Sequence, residues 1–520
     1  MPVMTIRTER PAPPPLSPSR PPLSGRERPG RILLRSRLLG PGLLIAANLA
    51  VVVFFLLSYS RHGIGFSPYR IDLDVYRIGS RVWLRRGNLY GVIPATRGGA
   101  LLPFSYPPIA AVLLSPLALI PMGAAVALLT LATIALTALV LRIFLRSAEQ
   151  GRRPVRTGEA RGPVAETGGA PWPTPWLTRW RAVAWILPAA LLLEPVRNTL
   201  LYGQVNVALM ALVAADCLTR SPRWPRGALT GIAAAVKLTP AVFVLFFVLR
   251  RDWRAALTAA LSMLACTGAG FLFAWHDSVE YWTSVLFQTS RPGSPAYAAN
   301  QSITAVIARA GVDPHSLAGT ALWMALSATV VVLAYLGMRR ALAASQQARA
   351  LSLNAFAGLL ISPISWSHHW VWGELAVLTL VTDCWAGRSR ASRPDATGSG
   401  HERLGTAAHS GLATAAHKRL GAWAHGHLGL LLAAVGALMF ALSPQWLLPN
   451  GGNRELHWAA WEQVLGSSYV IYAIIVLLWA AFRGPRSASP EGAGVPRPAA
   501  GEAGSFGPAG VVLARPGASR

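Results

Sequence analysis

Apolar runs of about 20 residues recur along this chain and leave few folds open to it. The stretch MGAAVALLTLATIALTALVLRIFL at 122–145, for example, is long enough to cross a bilayer as one helix. Only 13% of the residues are charged, whereas soluble proteins have roughly 25%. The chain therefore has too little charge to cover a water-facing surface, and the sequence predicts an all-α polytopic membrane protein.

The positive charge of the chain lies between the apolar runs. The formal net charge is +27, a value that could indicate a nucleic-acid partner. The arginines, however, gather in short stretches between the runs, as they do in cytoplasmic loops under the positive-inside rule. We therefore expect membrane lipids, and no nucleic acid, as the partners of this charge.

The arginine-rich stretches also predict the topology, with both chain ends in the cytoplasm. The short run at 107–121 is bracketed by prolines, so we expect a re-entrant or surface helix there. The predicted regions are a disordered basic N-terminus at 1–38, a transmembrane domain at 39–483 with cytoplasmic loops at 146–181 and 388–425, and a disordered C-terminal tail at 484–520. About twelve crossings are predicted, at 39–60, 122–145, 182–200, 204–219, 227–238, 239–250, 255–275, 318–338, 350–365, 370–386, 428–447 and 465–483.

The segment GALTGIAAAVKLTPAVFVLFFVL, at 227–249, allows two structures. It could form one full helix or a short hairpin bent at Lys237-Leu-Thr-Pro240. The hairpin keeps the flanking arginine clusters on the same side of the membrane, and it places irregular backbone where a cavity can surround it. We favour the hairpin on these grounds.

Five polar motifs fall on the outer side of the membrane in this topology. Apolar stretches separate them in sequence, so their common location indicates a polar cavity that opens to the outside. The motifs are DLDVYRIG (72–79), EPVRNTLLYGQVN (194–206), VKLTP (236–240), AYAANQS (296–302) and SPISWSHHW (362–370). Candidates among them for contacts with substrate are Asp74, Tyr76, Gln204, Asn206, Asn300, Gln301 and Trp366.

Asp72 and Asp74 belong to an amphipathic pattern that predicts a helix lying at the membrane interface. Side chains two residues apart on a helix differ in direction by about 200°, so only one of the two carboxylates is expected to face a given cavity. Asp72 also suits the N-cap position of such a helix. A structural role and a catalytic role are both open for Asp72 from the sequence pattern alone.

Lys237 and Arg197 are candidate ligands for a phosphate group. A charged residue within an apolar segment usually lines a cavity, and Lys237 is one of only two lysines in the chain. An ammonium binds phosphate as a point charge, and a guanidinium binds it in a bidentate manner. For Arg197 an ion pair with Glu194, three residues earlier, is an equally good alternative.

The adjacent histidines His368 and His369 point about 100° apart on a helix, which makes joint chelation of one metal ion difficult. No HExxH or similar spacing is present, so hydrogen bonding to phosphate or to a sugar hydroxyl is the better interpretation. The nearby tryptophans could stack on a sugar, although an interfacial aromatic belt accounts for them equally well.

The chain has no Walker loop, no GxGxxG motif after a strand and no GxSxG elbow. No hydrophilic segment is long enough to fold into a nucleotide-using domain. Chemistry at the outer face must therefore draw on a substrate that is already activated there, and a lipid-linked sugar donor meets this requirement.

The ordered motifs together resemble glycosyltransferase family 87, the polyprenyl-phosphate-mannose-dependent α-(1→2)-mannosyltransferases of actinobacteria. The resemblance covers roughly residues 39 to 385. The segments that carry it are DLDVYRIG, FSYPPIAAVLLSPLALIP, EPVRNTLLYGQVNVALMAL, GIAAAVKLTPAVF, NQS and SPISWSHHWVW.

The resemblance implies a membrane fold of the GT-C type and identifies Asp72 as the catalytic residue. It implies a hexosyltransferase that transfers mannose from polyprenyl-phosphate mannose to a glycolipid or glycan acceptor, with inversion at the extracytoplasmic face. Lys237, Arg197, His368 and His369 then become candidates for binding the donor phosphate. We expect neither a metal nor another cofactor. A transporter or flippase of lipid-linked sugars is the alternative, and the acceptor is left open.

Overall fold

A computed structural model describes residues 46–51 and 53, 69–150, 175–391 and 427–482, and their regular structure is helical. The one β-bridge within these ranges joins Asn300 to Trp366. The helices from residue 69 onward are α1 (Ile71–Leu84), α2 (Pro108–Leu119), α3 (Met122–Gln150), α4 (Pro175–Leu192), α5 (Glu194–Tyr202), α6 (Asn206–Leu218), α7 (Ala228–Val236), α8 (Val244–Leu249), α9 (Trp253–Phe273), α10 (Trp275–Thr283), α11 (Ile303–Arg309), α12 (Leu317–Ala343), α13 (Gln347–Ile361), α14 (Trp372–Ala391), α15 (427–442), α16 (Ala460–Gly466) and α17 (Ser468–Phe482). Short 3-10 turns occupy Thr239–Phe243, Val285–Phe287, Ser367–His369, Pro444–Leu447 and Arg454–His457.

Among the described residues, four helices are long and apolar enough to cross a membrane, namely α3, α9, α12 and α15. The pair α16 and α17, bent by 68° at their junction, could supply a fifth span. On α9 the large apolar residues Leu257, Leu261 and Leu264 are between 56% and 66% exposed, as expected for a surface that contacts lipid. The multi-pass membrane class is therefore supported, whereas the figure of about twelve crossings stays a prediction.

The predicted helix at 182–200 is divided in the structure. Helix α4 ends at Leu192, and α5 begins at Glu194 with Pro195 in its first turn. A proline has no backbone N–H to donate to the preceding turn and its ring crowds that turn, so the chain starts a new helix there. This break makes α5 a separate helix from α4.

The segment from 227 to 250 is broken at Lys237 and does not form one helix. Helix α7 ends at Val236, and the chain resumes as a 3-10 turn at Thr239–Phe243 before α8. The start of α7 and the end of α8 both approach the C-terminal end of α6. The Gly227 amide donates to Asp216 Oδ1 at 2.9 Å, and Arg250 Nη1 lies 3.4 Å from the Cys217 carbonyl oxygen. The segment therefore turns back on itself as a hairpin, with Lys237 at its bend.

Small residues let α7 pack closely against α9. A Cβ atom added to Gly231 would lie 2.3 Å from the Ala259 carbonyl oxygen, and one added to Gly227 would lie 2.0 Å from that of Ala255. Gly227 also has a φ of +99°, a conformation that is unfavourable for residues with a side chain. Close approach of this kind fixes the hairpin, and hence Lys237, relative to the rest of the bundle.

Several predictions on the chain ends and loops fall outside the described residues. They concern the N-terminus at 1–38, most of the first crossing at 39–60, the centre of the loop at 146–181, most of the loop at 388–425 and the tail at 484–520.

Candidate active site

A cavity of about 710 Å³ lies where the polar motifs meet. Its size is in the range that is usual for sites that bind small molecules. The segments that line it are the first two turns of α1, the loop at 102–107, the turn at 202–204, the bend at 237–239, Tyr281 on α10, and the loops at 292–299, 364–369 and 446–455. These segments come from distant parts of the chain.

Helix α1 presents Asp72 to the cavity from its first turn. Arg70 is the residue before the first turn, so Asp72 does not occupy the N-cap position that the sequence also allowed. A carboxylate in the first turn of a helix is favoured by the helix dipole. The structure therefore leaves Asp72 free of a capping role and places it at the cavity wall.

Asp74 points away from the cavity. Its side chain is buried, and its Oδ2 atom accepts a hydrogen bond of 2.8 Å from the backbone N–H of Arg97. This outcome agrees with the expectation that only one of the two carboxylates on α1 faces the cavity. The contact with Arg97 gives Asp74 a structural role in holding the loop after α1.

Gly203 brings the turn between α5 and α6 against helix α1. Its φ is +74°, and a Cβ atom there would lie 2.8 Å from Leu73 Cβ and 2.9 Å from Arg70 Cβ. No residue with a side chain could occupy this position without moving one of the two elements. The close approach carries Gln204, the next residue, to Asp72.

Gln204 connects Asp72 to a pair of tyrosines. Its Nε2 atom donates to Asp72 Oδ2 at 2.7 Å. Its Oε1 atom accepts from Tyr76 OH at 2.5 Å and from Tyr106 OH at 3.3 Å, and the two hydroxyls lie 3.0 Å apart. This network fixes the orientation of the carboxylate, while Asp72 Oδ1 accepts no hydrogen bond from the described residues.

Burial raises the pKa of Asp72 to about 6. The hydrogen bond from Gln204 and the positive charge of Lys237 act in the opposite direction, because both stabilise the ionised carboxylate. A carboxylate with a pKa near 6 is ionised at neutral pH and is a better proton acceptor than an ordinary aspartate.

Lys237 lies at the bend of the hairpin, with its ammonium facing the cavity. Its Nζ atom donates to Asn206 Oδ1 at 3.0 Å and lies 2.9 Å from His369 Nε2. It also lies 5.4 Å from the centre of the Tyr106 ring, a cation–π distance. An ammonium can only donate, so His369 accepts this bond through an unprotonated Nε2 atom.

The two histidines lie in the 3-10 turn at Ser367–His369, and both line the cavity. Burial lowers the pKa of both imidazoles well below the usual value, and the charge of Lys237 lowers the pKa further. Both rings are therefore neutral. Neither ring nitrogen of His368 has a hydrogen-bond partner among the described residues, so this imidazole can contact a ligand.

The backbone around the histidines is held by side chains from α5 and α6. The His368 carbonyl oxygen accepts from Thr199 Oγ1 at 3.1 Å and from Asn206 Nδ2 at 2.9 Å. Asn206 therefore contacts both Lys237 and the histidine turn. This position makes it a residue that orients the cationic part of the cavity, although it does not line the large cavity itself.

Glu194 is a buried residue whose role the sequence did not predict. Its carboxylate accepts four hydrogen bonds, from segments as far as 275 residues away in sequence. The donors are Asn198 Nδ2 at 2.6 Å, Ser367 Oγ at 2.6 Å, Trp446 Nε1 at 2.7 Å and Tyr469 OH at 2.9 Å. Glu194 makes no salt bridge with Arg197, so the ion pair that the sequence left open as an alternative for Arg197 is not formed.

Three further candidate residues lie outside the cavity wall. Arg197 does not line the cavity. Asn300 accepts from the Ser365 amide at 2.9 Å, and Gln301 Nε2 donates to the carbonyl oxygens of Ala298 and Gly466. Both side chains are fully buried and bond mainly to backbone, which indicates that they hold the surrounding loops together.

The candidate residues thus divide into those that line the cavity and those that do not. The structure brings Asp72, Tyr76, Gln204, Lys237, Trp366, His368 and His369 to one cavity. Further lining residues that the sequence did not single out are Tyr106, Tyr202, Tyr297, Trp446 and Glu455. The tyrosine in FSYPP was within a recognised motif, but nothing local marked Trp446 or Glu455, because their position depends on how the last helices pack.

No group of three or more histidine, cysteine, aspartate or glutamate side chains is arranged to hold a metal ion within 69–150, 175–391 and 427–482. The expectation of a metal-free reaction stays a prediction.

Comparison with known proteins gives matches over most of the chain. The family model of glycosyltransferase family 87 matches residues 104–363. A protein of Mycobacterium tuberculosis (strain ATCC 25618 / H37Rv) is 37% identical over 424 residues, which are 80% of this chain and 85% of the relative. It is named polyprenol-phosphate-mannose-dependent alpha-(1-2)-phosphatidylinositol mannoside mannosyltransferase.

Two further relatives extend the comparison. A protein of the same name from Mycolicibacterium smegmatis (strain ATCC 700084 / mc(2)155) is 37% identical over 80% of this chain and 84% of the relative. A phosphatidylinositol pentamannoside mannosyltransferase of Mycobacterium tuberculosis (strain CDC 1551 / Oshkosh), named with the same donor and linkage, is 36% identical over 58% of this chain and 64% of the relative. No solved structure matches the chain.

Proposed function

The chain belongs to glycosyltransferase family 87, and from this membership we propose that it transfers mannose from polyprenol-phosphate mannose to a phosphatidylinositol mannoside. The product carries a new α-(1→2) linkage. The single observation that carries the proposal is the 37% identity, over 80% of the chain, to relatives whose names state this donor and acceptor. The chain is thus a hexosyltransferase, and these relatives give no support to the transporter or flippase alternative.

Asp72 acts as the general base in this proposal. Its free Oδ1 atom takes the proton from the 2-hydroxyl of the acceptor while that oxygen attacks the anomeric carbon of the donor. The C–O bond to phosphate breaks on the opposite face, so a β-linked donor gives an α-linked product. One carboxylate suffices for a single displacement, in contrast to the carboxylate pair of hydrolases.

Lys237 stabilises the departing phosphate. Negative charge develops on the phosphate oxygens as the C–O bond breaks, and a preorganised donor in a buried site is most effective against such charge. The Lys237 ammonium faces the same cavity as Asp72. His368 and His369 add neutral hydrogen-bonding groups beside it, whereas Arg197, which does not line the cavity, is assigned no contact with the phosphate.

We further propose a GT-C architecture of about twelve crossings, with both chain ends in the cytoplasm and the cavity on the extracytoplasmic side. The two ends of the α6–α7–α8 unit support this orientation. Lys237 and Asn206 meet at the cavity end, whereas Arg226 and Arg250 lie beside Asp216 and its neighbour at the other end. Arginines are concentrated on the cytoplasmic side of membrane proteins.

Cysteine labelling tests the orientation. In a background without the natural cysteines, Val92→Cys places a thiol in an exposed loop after α1, and Ser221→Cys places one in the exposed loop after α6. An impermeant maleimide applied to intact cells should label Val92→Cys and spare Ser221→Cys until the membrane is permeabilised. The reverse pattern would invert the proposed topology.

Asp72→Asn tests the catalytic role, with Asp74→Asn as its matched control. Both changes replace an aspartate on α1 by an isosteric amide, but only Asp72 borders the cavity. Membranes supplied with radiolabelled polyprenol-phosphate mannose should lose about 10²- to 10⁴-fold in transfer rate with Asp72→Asn. Asp74→Asn should stay within about threefold of the natural chain, since its contact is to backbone. Near-normal transfer by Asp72→Asn at equal protein level would remove this residue from the reaction.

A further inference from the structure

Part of the cavity wall is aromatic and acidic rather than cationic. It consists of Tyr297, Trp366, Trp446 and Glu455, which we call the aromatic wall. The ring contacts of these residues are with one another, and they make no hydrogen bond with the side chains of Asp72 or Lys237. The cavity therefore presents two surfaces of different chemistry, and the proposed reaction uses only the cationic one.

The three rings of the aromatic wall are held in fixed positions. Tyr297 lies between the two tryptophans, with its centroid 5.9 Å from that of Trp366 and 6.1 Å from that of Trp446, in edge-to-face geometry. The Trp446 indole N–H donates to Glu194 Oε1 at 2.7 Å. Because a buried carboxylate anchors this indole, the ring can act as a rigid platform at little entropic cost when a ligand binds.

Glu455 adds one carboxylate to this wall. Its Oε1 atom accepts from the Gly451 amide at 2.8 Å and from the Ala298 amide at 3.1 Å. Gly451, Gly452 and Asn453 all have positive φ values, and this left-handed turn brings the Gly451 amide back to the carboxylate. Glu455 Oε2 accepts no hydrogen bond from the described residues, although the side chain is buried and borders the cavity.

Aromatic rings beside a carboxylate suit a neutral sugar and not a phosphate. The C–H faces of a sugar ring pack on the apolar faces of tryptophan and tyrosine, and its hydroxyls donate to a carboxylate oxygen. A phosphate placed next to Glu455 would suffer like-charge repulsion. The donor phosphate is thus expected near Lys237, and the aromatic wall is a surface suited to a neutral sugar.

We propose that the aromatic wall is a subsite for the mannose residues of the acceptor glycan. This assignment rests on the proposed function, because it assumes that the neighbouring part of the cavity holds the donor. Trp446 and Trp366 form the stacking surfaces, and Glu455 Oε2 accepts from a sugar hydroxyl. Contacts here hold the acceptor so that its reacting hydroxyl reaches Asp72, and they select acceptors by their glycan.

Acceptor and donor kinetics test the subsite in three variants. Trp446→Leu removes a stacking surface, Glu455→Gln removes the charge, and Trp461→Leu makes the same tryptophan change at a residue that is 64% exposed on α16. Transfer is measured with purified full-length protein while polyprenol-phosphate mannose and phosphatidylinositol mannoside are varied separately. Trp446→Leu should raise the KM for the acceptor about tenfold, the scale of one lost aromatic contact. The KM for the donor should stay within about twofold, and Trp461→Leu should change neither value.

The outcomes are separable. Acceptor KM values unchanged in both Trp446→Leu and Glu455→Gln, or a rise only in the donor KM, would overturn the subsite. Failure of the unaltered protein to transfer any mannose from this donor would overturn the proposed function instead. If Trp446→Leu does not fold, Glu455→Gln still tests the subsite. This variant is expected to fold, since glutamine can accept the same two hydrogen bonds from the Gly451 and Ala298 amides.

A binding measurement that needs no donor completes the test. Saturation-transfer NMR with free mannotriose should detect contact with the unaltered protein, and the signal should weaken in Trp446→Leu and persist in Trp461→Leu. Equal signals from all three proteins, or no signal from the unaltered one, would contradict the proposal.

Discussion

Replacing Gln204 by leucine should move the pH dependence of transfer to higher pH. The Gln204 amide donates to Asp72 Oδ2 at 2.7 Å, and this bond exists in full strength only when the carboxylate is ionised. A hydrogen bond to a charged group contributes about 1.5–3 kcal/mol, and one pKa unit corresponds to about 1.4 kcal/mol. Loss of the bond should therefore raise the pKa of Asp72 by about one to two units from its value of about 6.

The direction of this shift in the pH profile follows from which protonation state of Asp72 is active. A general base works only when it is deprotonated, so activity is lost as the pH falls through the pKa. The unaltered protein should lose half of its activity near pH 6, and Gln204→Leu should do so between about pH 7 and pH 8. At pH 9 both proteins have an ionised Asp72, so their rates should converge.

The assay is the transfer rate at subsaturating donor and acceptor over pH 5 to about 9.5, with Gln288→Leu as the control. Gln288 is an exposed glutamine whose amide donates to Ser284 Oγ. Gln288→Leu therefore makes the same replacement of a hydrogen-bonded glutamine by leucine outside the cavity. The Tyr76 and Tyr106 hydroxyls, 3.0 Å apart, still bond to each other in Gln204→Leu. A pH profile of Gln204→Leu that matches the control would refute the assignment of Asp72 as a base held by Gln204.

Three further predictions concern residues in and around the cavity. Lys237→Met should raise the donor KM about tenfold or more and leave the acceptor KM within twofold; unchanged donor KM in radiolabelled transfer assays would separate this ammonium from the phosphate. Gly203→Ala should lower the stability of the detergent-solubilised protein by about 2 kcal/mol, because a left-handed residue with a Cβ is strained and that atom would meet Leu73; an unchanged thermal midpoint would contradict the close approach. Glu194→Ala should destabilise more than Glu194→Gln, by about 1–3 kcal/mol for each buried donor left without an acceptor, and equal midpoints for the two variants would argue against the four-bond network.

The division of the chain into apolar helices and polar segments followed from local sequence. Four of the twelve apolar runs that predicted spans, at 122–145, 255–275, 318–338 and 428–447, correspond to the long apolar helices α3, α9, α12 and α15. The amphipathic pattern at 72–83 corresponds to α1. Helical periodicity and hydrophobic length are properties of neighbouring residues, and they can be recognised without knowing the rest of the fold.

The composition of the cavity wall depended on contacts over long sequence distances. The pattern on α1 requires Asp72 and Asp74 to point in different directions, but only the packing of the Gly203 turn against α1 determines which one reaches the cavity. Asn300 and Gln301 are as polar as Gln204, yet they satisfy loop carbonyls instead. A side chain's role in such cases depends on partners that no local pattern specifies.

By itself, the sequence determined that this is a helical membrane protein, and its ordered motifs determined the family. The length of an apolar run and the presence of a family motif are properties of consecutive residues, so they can be recognised without the fold. The tertiary structure alone decided that Glu194 joins α5 to Ser367, Trp446 and Tyr469, and that the last helices complete the cavity. Those contacts form because a buried carboxylate must find donors wherever the packed chain brings them, and packing is a property of the whole bundle.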